Sequence, residues 1–333
     1  MDRMDFTHAV ARLRVIEKRL LDKVKVERLL ECETPEEVLK ILQEMQYGES
    51  ITDINDVHNY EDMLRQELKD LYLNMYKLTP EKSIVDIMSI KYDYHNIKVL
   101  EKSKLGEKDF SNLLIPIGTI PIDALKNMVF SGEIKDLSPL MREGINKVEE
   151  DFSKSKDPQN IDIILDKFMY SDILQRALST EIEFIIEFVK ATIDIANIKA
   201  MLRVKKQNKD GKFLESILIP GGEIEKNIFI YGLNDTLENF INNISKSSYA
   251  KILTSILEEY NNTGNFSSIE VLFDNNIIDR AKYAKRVNFG PEPLISFILA
   301  KENEIKIVRI IMVGKINKVP TEIIRERLRD IYA

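Results

Sequence analysis

"DYHNIKVLEK" fills positions 93–102 and "DIANIKAMLR" fills positions 194–203. Both write Asp-x-x-Asn-Ile-Lys, and the two aspartates stand 101 residues apart. Four fixed residues recur by chance often enough in a chain of 333 that this match alone decides little. A second match lies downstream: "LIPIGTI" at Leu114–Ile120 follows the first copy, and "LIPGGEI" at Leu218–Ile224 follows the second, 104 residues later. Two motifs repeated in one order at nearly one offset mark a repeated module.

Within each copy Asp and Asn are three apart and share a helix face. Lys98 with Lys102, and Lys199 with Arg203, are four apart on another face, which is basic. Asn96 and Asn197 are expected to be buried anchors that bond the backbone of a neighbouring helix. A degenerate third copy is expected in "ENEIKIVRIIMVGKINKVPTEII". There Ile305-Lys306 takes the Ile-Lys position, Val319-Pro320 the Ile-Pro position, and Lys301 and Glu304 replace Asp and Asn.

Helix signals surround these motifs. Thr34-Pro35 with Glu37 predicts a helix over 35–45, and Thr79-Pro80 opens a long one closed by a left-handed cap at Gly106. Ser138-Pro139 opens another, and "SKSKDPQN" at 153–160 breaks it. Residues 161–205 read as helical almost throughout, with an apolar stripe at Ile182, Ile185, Ile186, Val189 and Ile193. A helix apolar around most of its girth is buried between others. Residues 290–317 predict a further long helix with the charged turn 301–304 on its outer face, and 319–333 a terminal one. "LESILIPGG" is the nearest approach to a strand and is too short to carry a sheet. The fold class is all-α, in three similar helical domains of about a hundred residues each, a usual domain size. Approximate boundaries are 1–112, 113–216 and 217–333, with the first and last able to share helices. Such units close into a pseudo-threefold ring or funnel, or extend as an open array.

Composition narrows the function. A net charge of -7, with 48 basic and 55 acidic residues interspersed, offers no broad positive field for a phosphate backbone, so nucleic acid is not the expected partner. The basic run Lys199, Arg203, Lys205, Lys206, Lys209 and Lys212 reads as a solvated helix end or a docking edge. Cys32 is the only cysteine, which excludes a disulfide framework or cysteine metal cluster and fits a reducing compartment. The N-terminus lacks a signal-peptide core, and Ile305–Val313 is too short and charged to span a bilayer. The sequons at Asn261 and Asn265 therefore carry no meaning.

Catalytic patterns are missing. His8, His58 and His95 are the only histidines, none at metal-ligand spacing, and Ala196 replaces His95 in the second copy. Gly314-Lys315 is no P-loop, Gly221-Gly222 no dinucleotide fingerprint, and no Gly-x-Ser-x-Gly elbow occurs. No catalytic, cofactor or metal residue is nominated, and the expected class is a binding or structural protein rather than an enzyme.

"YDYHNIKVLEKSKL" with "LIPIGTI", "DIANIKAMLRVKK" with "LIPGGEI", and the closing "FGPEPLISFILAKENEIKIVRIIMVGKINKVPTEIIRERL" resemble the C subunits of archaeal and bacterial V-type (A-type) ATP synthases. Their counterpart in eukaryotic vacuolar ATPases is the d subunit. The resemblance covers essentially the whole chain and implies a funnel of three helical domains. It implies a central-stalk component on the cytoplasmic face, seated on the membrane rotor-ring subunits and receiving the D and F subunits of the shaft. No nucleotide and no cofactor is implied; such a component transmits torque for proton or sodium transport. On this resemblance Lys98, Lys199 and Arg203 are expected to meet acidic groups of the shaft. The competing reading is an unrelated helical scaffold that binds proteins in a concave surface.

Overall fold

The computed structural model describes residues 2–45, 57–264 and 266–333; Asn265 and the side chain of His58 lie outside the described residues. Among the described residues every regular element is a helix. The chain divides into two compact units, Met1–Val85 with Glu270–Ala333, and Asp86–Ile269.

The first unit contains α1 (Thr7–Ile16), α2 (Lys23–Glu31), α3 (Pro35–Glu44) and α4 (Tyr60–Leu78). The division falls inside α5 (Lys82–Gly106). The second unit continues with α6 (Ile122–Ser131), α7 (Pro139–Ser155), α8 (Pro158–Ser179), α9 (Glu183–Lys206), α10 (Gly211–Ile217), α11 (Lys226–Asn234), α12 (Leu237–Asn243) and α13 (Ala250–Thr263). With α14 (Ile269–Lys282), α15 (Glu292–Ile316) and α16 (Thr321–Glu326) the chain returns to the first unit.

Local chemistry accounts for the starts. Thr34 accepts from the amide of Glu37, and Pro35 occupies the first turn, where no helical amide bond is lost. Ser138 caps α7 through Met141, and Asp157 caps α8 through Gln159, each ahead of a proline. The stretch 161–205, read as helical almost throughout, is two helices, with Glu181 left-handed at φ 56° between α8 and α9. The expected terminal helix covers only Thr321–Glu326.

Three long helices end alike. Gly106 is the last helical residue of α5, and the left-handed position falls on Glu107 (φ 53°), not on the glycine. Asn208 (φ 52°) after α9 and Lys318 (φ 54°) after α15 do the same. In each case the next amide returns to a helix carbonyl: Lys108 to Ser103 (3.2 Å), Lys209 to Val204 (3.1 Å) and Val319 to Gly314 (2.8 Å). This is the Schellman closure, repeated at three points of the chain. Glu107→Gly relieves the Cβ clash of the left-handed conformation and is expected to add about 1 kcal/mol, read as a higher urea midpoint.

The caps fix the register of the repeat. From 107 to 208 is 101 residues, and from 107 to 318 is 211. The third copy is therefore displaced by three residues from the alignment the sequence favours, so that Glu304 stands at the Asp93 position, not the Asn96 position. A slip of three keeps a residue near the same helix face, so sequence pattern scarcely resists it. The core follows the structural register. Ile97 and Leu100, Ile198 and Met201, and Val308 and Ile311 are all buried along the three long helices. They belong with short-helix pairs that are also buried and four apart: Leu125 and Val129, Phe229 and Leu233, Val26 and Leu30.

Candidate functional site: three carboxylate and lysine clamps

Asp93 is fully buried and accepts three hydrogen bonds: from the Thr119 amide (2.8 Å), the Thr119 hydroxyl (2.7 Å) and the Ile120 amide (3.1 Å). These amides lead into α6. Eleven residues after Asp93, Lys104 reaches the other end of that short helix and donates to the Val129 carbonyl (2.8 Å) and to Glu149 (2.6 Å). One long helix thus holds a short helix at both ends, by the amides of the turn that leads into it and by one of its last carbonyls, which have no partner within the helix.

The second copy repeats the device. Asp194 accepts from the amides of Glu223 and Ile224, both 3.1 Å, and from the Tyr249 hydroxyl (3.4 Å). Lys205, again eleven residues on, donates to the carbonyls of Leu233 (2.8 Å) and Gly232 (3.3 Å) at the end of α11.

In the third copy both halves remain, although the short helix comes from the other end of the chain. Glu304 accepts from the Leu21 amide (2.6 Å) just before α2, and Lys315 donates to the Leu30 carbonyl (2.7 Å) in its last turn. The spacing is constant: 93 to 104, 194 to 205 and 304 to 315 are each eleven. On the short helices, 120 to 129, 224 to 233 and 21 to 30 are each nine. The charged turn expected on the outer face of α15 is instead an inner feature, with Glu304 buried and Lys301 held between Glu304 and Glu67.

Asn96 and Asn197 are buried, and their partner is a loop instead of a neighbouring helix. Each amide closes a two-bond ring with one backbone unit: Asn96 with the carbonyl and amide of Ile115, Asn197 with those of Ile219, all at 2.8 Å. Ile115 and Ile219 each precede the repeated proline, which has no amide of its own to bond. Thus Asn-Ile and Leu-Ile-Pro, the two motifs read as separate marks, are the two sides of one contact. Replacing Asn96 by Leu leaves a buried amide and carbonyl unpaired, and an expected loss of about 2–4 kcal/mol should appear as a lower urea midpoint, with Asn197→Leu matching it.

Two glycines admit the carboxylates. A Cβ at Gly118 would stand 1.9 Å from the Asp93 Oδ1, and one at Gly222 would stand 2.1 Å from the Asp194 Oδ1. Burial pushes the carboxyl pKa of Asp93 up, while the Thr119 and Ile120 donors pull it back. Asp194 is raised by burial in the same way, against the amides of Ile224 and Glu223.

The basic face is largely engaged within the chain. Lys98 pairs with Asp166, and Lys102 with Asp162 at 2.7 Å, both carboxylates on α8. Lys199 is half-buried and Arg203 exposed, and each has an interaction of its own inside the chain. Lys205 is a clamp residue, and Lys209 lies over the Phe213 ring at 3.9 Å. His95 Nε2 lies 2.9 Å from the Leu113 carbonyl, and His8 is exposed. Sequence reading gave no clamp role to Lys104, Lys205, Lys315, Gly118 or Gly222; for the lysines the signal available was the eleven-residue spacing from each acid. Among the described residues no group of three or more His, Cys, Asp or Glu side chains is placed to hold a metal ion, and no helix is long and apolar enough to cross a membrane.

Clamped helix pairs whose buried acids each accept backbone amides define an all-α protein with a repeated device that commits side chains to holding short helices on long ones. The chain belongs to the ATP synthase (C/AC39) subunit family, whose model matches residues 9–327. It is 29% identical to the C subunit of the A-type ATP synthase of Methanocaldococcus jannaschii, over 98% of this chain and 87% of that protein. It is 27% identical to the C subunit of the V-type sodium ATPase of Enterococcus hirae, over 95% of each. With the C subunit of the A-type ATP synthase of Thermococcus kodakarensis the identity is 24%, over 98% of this chain and 91% of that protein.

Proposed function

We propose that the chain is the non-catalytic C subunit in the central stalk of a rotary A/V-type ATPase, a socket that couples the D–F shaft to the membrane rotor ring. The observation that carries this reading is the family match over residues 9–327, which includes both partners of the third clamp, Leu21 with Glu304 and Leu30 with Lys315. A part that passes torque must resist hinging between its helices. Charge-assisted hydrogen bonds at both ends of each short helix oppose that motion in a way apolar packing alone, which is non-directional, does not.

The division into three modules forming a pseudo-threefold funnel belongs to this proposal. The clamps favour cutting the chain at the starts of α5, α9 and α15 over cutting it near 112 and 216, with the third module completed by the N-terminal segment. Membrane association runs through the ring, at its cytoplasmic face, and the transported ion, proton or sodium, is chosen by the ring subunits.

Co-expression tests the reading: the chain is expected to copurify with the D and F subunits of the shaft and to bind detergent-solubilised rings. Failure to bind either overturns it. Lys98, Lys199 and Arg203 are proposed to face acidic groups of the shaft, Lys98 by exchanging Asp166 for a partner carboxylate. Reversing Lys199 and Arg203 to Glu is expected to weaken shaft binding about tenfold, or about 1.4 kcal/mol. Unchanged affinity and unchanged salt dependence would remove these residues from the interface.

A further inference from the structure

Glu101 lies on α5 one turn before the clamp lysine Lys104, is 0% exposed, and has no hydrogen-bond partner among the described residues on either carboxyl oxygen. The repeat provides an internal comparison. Adding 101 and 211 to its number leads to Leu202 and Met312, both 0% exposed core residues at the same place on α9 and α15. The repeated fold is thus satisfied by an apolar side chain here, and the carboxyl is particular to the first clamp.

An ionised carboxylate buried without donors is strongly disfavoured, and the group escapes by keeping its proton. Burial raises the pKa of Glu101 to about 7, Lys104 on its own helix pulls it down, and Glu149 on α7 pushes it up. Those two are the charged groups that act on it. Lys104 is meanwhile shared between Glu149 and the Val129 carbonyl at the end of α6.

We propose that Glu101 is a proton-operated release for the first clamp. Neutral, it fills the core as Leu202 and Met312 do, and Lys104 holds the last turn of α6. When its proton passes to solvent, the new carboxylate competes for Lys104, three residues away on the same helix, and draws it off the Val129 carbonyl. The direction with pH follows from linkage. A carboxyl with a folded pKa of about 7 against an ordinary 4.5 contributes its full stabilisation below about pH 4.5 and loses it as pH rises through about 7.

Amide hydrogen exchange on the full chain, corrected for the intrinsic pH dependence of exchange, reads this directly. The last turn of α6 is expected to exchange about tenfold faster or more between about pH 6 and about pH 8. The last turn of α11, held by Lys205 beside Leu202, is expected to stay flat over the same range. Glu101→Met, the residue of the third copy, abolishes the α6 response; Glu101→Gln, neutral and of equal volume, serves if the methionine variant does not fold. A flat α6 in the unaltered protein, an equal rise in α11, or a rise that survives in a neutral variant overturns the proposal.

Discussion

Gly118→Ala is expected to destabilise the protein by about 2–5 kcal/mol, an effect out of proportion to one methyl group. The added carbon would stand 1.9 Å from Asp93 Oδ1, 2.6 Å from its Cγ and 3.1 Å from its backbone nitrogen. Either the carboxylate rotates away or the loop retreats. Rotation abandons the amides of Thr119 and Ile120, each costing about 1–3 kcal/mol when buried and unpaired. Retreat pulls Ile115 from Asn96 instead. The two readings of the cost, crowding against this carboxylate or generic strain, separate in a double-mutant cycle. With Asp93→Ala already present, Gly118→Ala is expected to cost only about 0.5 kcal/mol, because the obstructing oxygen is gone. Urea midpoints of the four proteins supply the test, and an undiminished penalty in the alanine background would refute the close approach as its cause. Gly222→Ala, facing Asp194 at 2.1 Å, is expected to behave alike.

Glu304→Leu is expected to cost about 3–5 kcal/mol and to free α2 while leaving α6 and α11 protected. Two losses combine in it. The Leu21 amide loses its acceptor, and Lys301 loses one of its two carboxylates. Burial works against the charge on Lys301, yet Glu304 and Glu67 together hold its pKa above the ordinary value. Leucine strands that charge beside Glu67 alone. Lys315→Met, which removes the donor to the Leu30 carbonyl and Thr321 hydroxyl, is expected to cost less, about 1–3 kcal/mol, because no charge is stranded. Hydrogen exchange resolved by segment decides the matter. If α2 keeps its protection in Glu304→Leu, the third clamp does not hold the N-terminal segment.

Much of this arrangement was legible in the residues. Proline and hydroxyl caps placed the starts of α3 and α7, and the paired Asp-x-x-Asn-Ile-Lys and Leu-Ile-Pro motifs marked the repeat, because a tight polar contact needs the same atoms each time it is made. The third copy was legible only in part. Its carboxyl is Glu in place of Asp, its Asn position is Ile307, and the Leu21 amide it takes lies 283 residues before it. No spacing rule within one segment reaches across that distance. Gly106 misled for a related reason: glycine suits a left-handed cap, but the closure falls where the packed helix ends, on Glu107, where the returning hydrogen bond from Lys108 to Ser103 helps offset about 1 kcal/mol of strain.

The sequence by itself determined the helical class, the absence of familiar catalytic patterns and the existence of a repeat, since helices and motifs are each written in neighbours a few residues apart and a repeat is read by comparing such motifs along the chain. Only the tertiary structure decided what the repeat does: which amide each carboxylate takes, why glycine must face it, and that the chain's two ends complete one clamp. Those facts depend on groups distant in sequence meeting at hydrogen-bond range, and burial fixes the outcome because a polar group inside the fold must find its partner there.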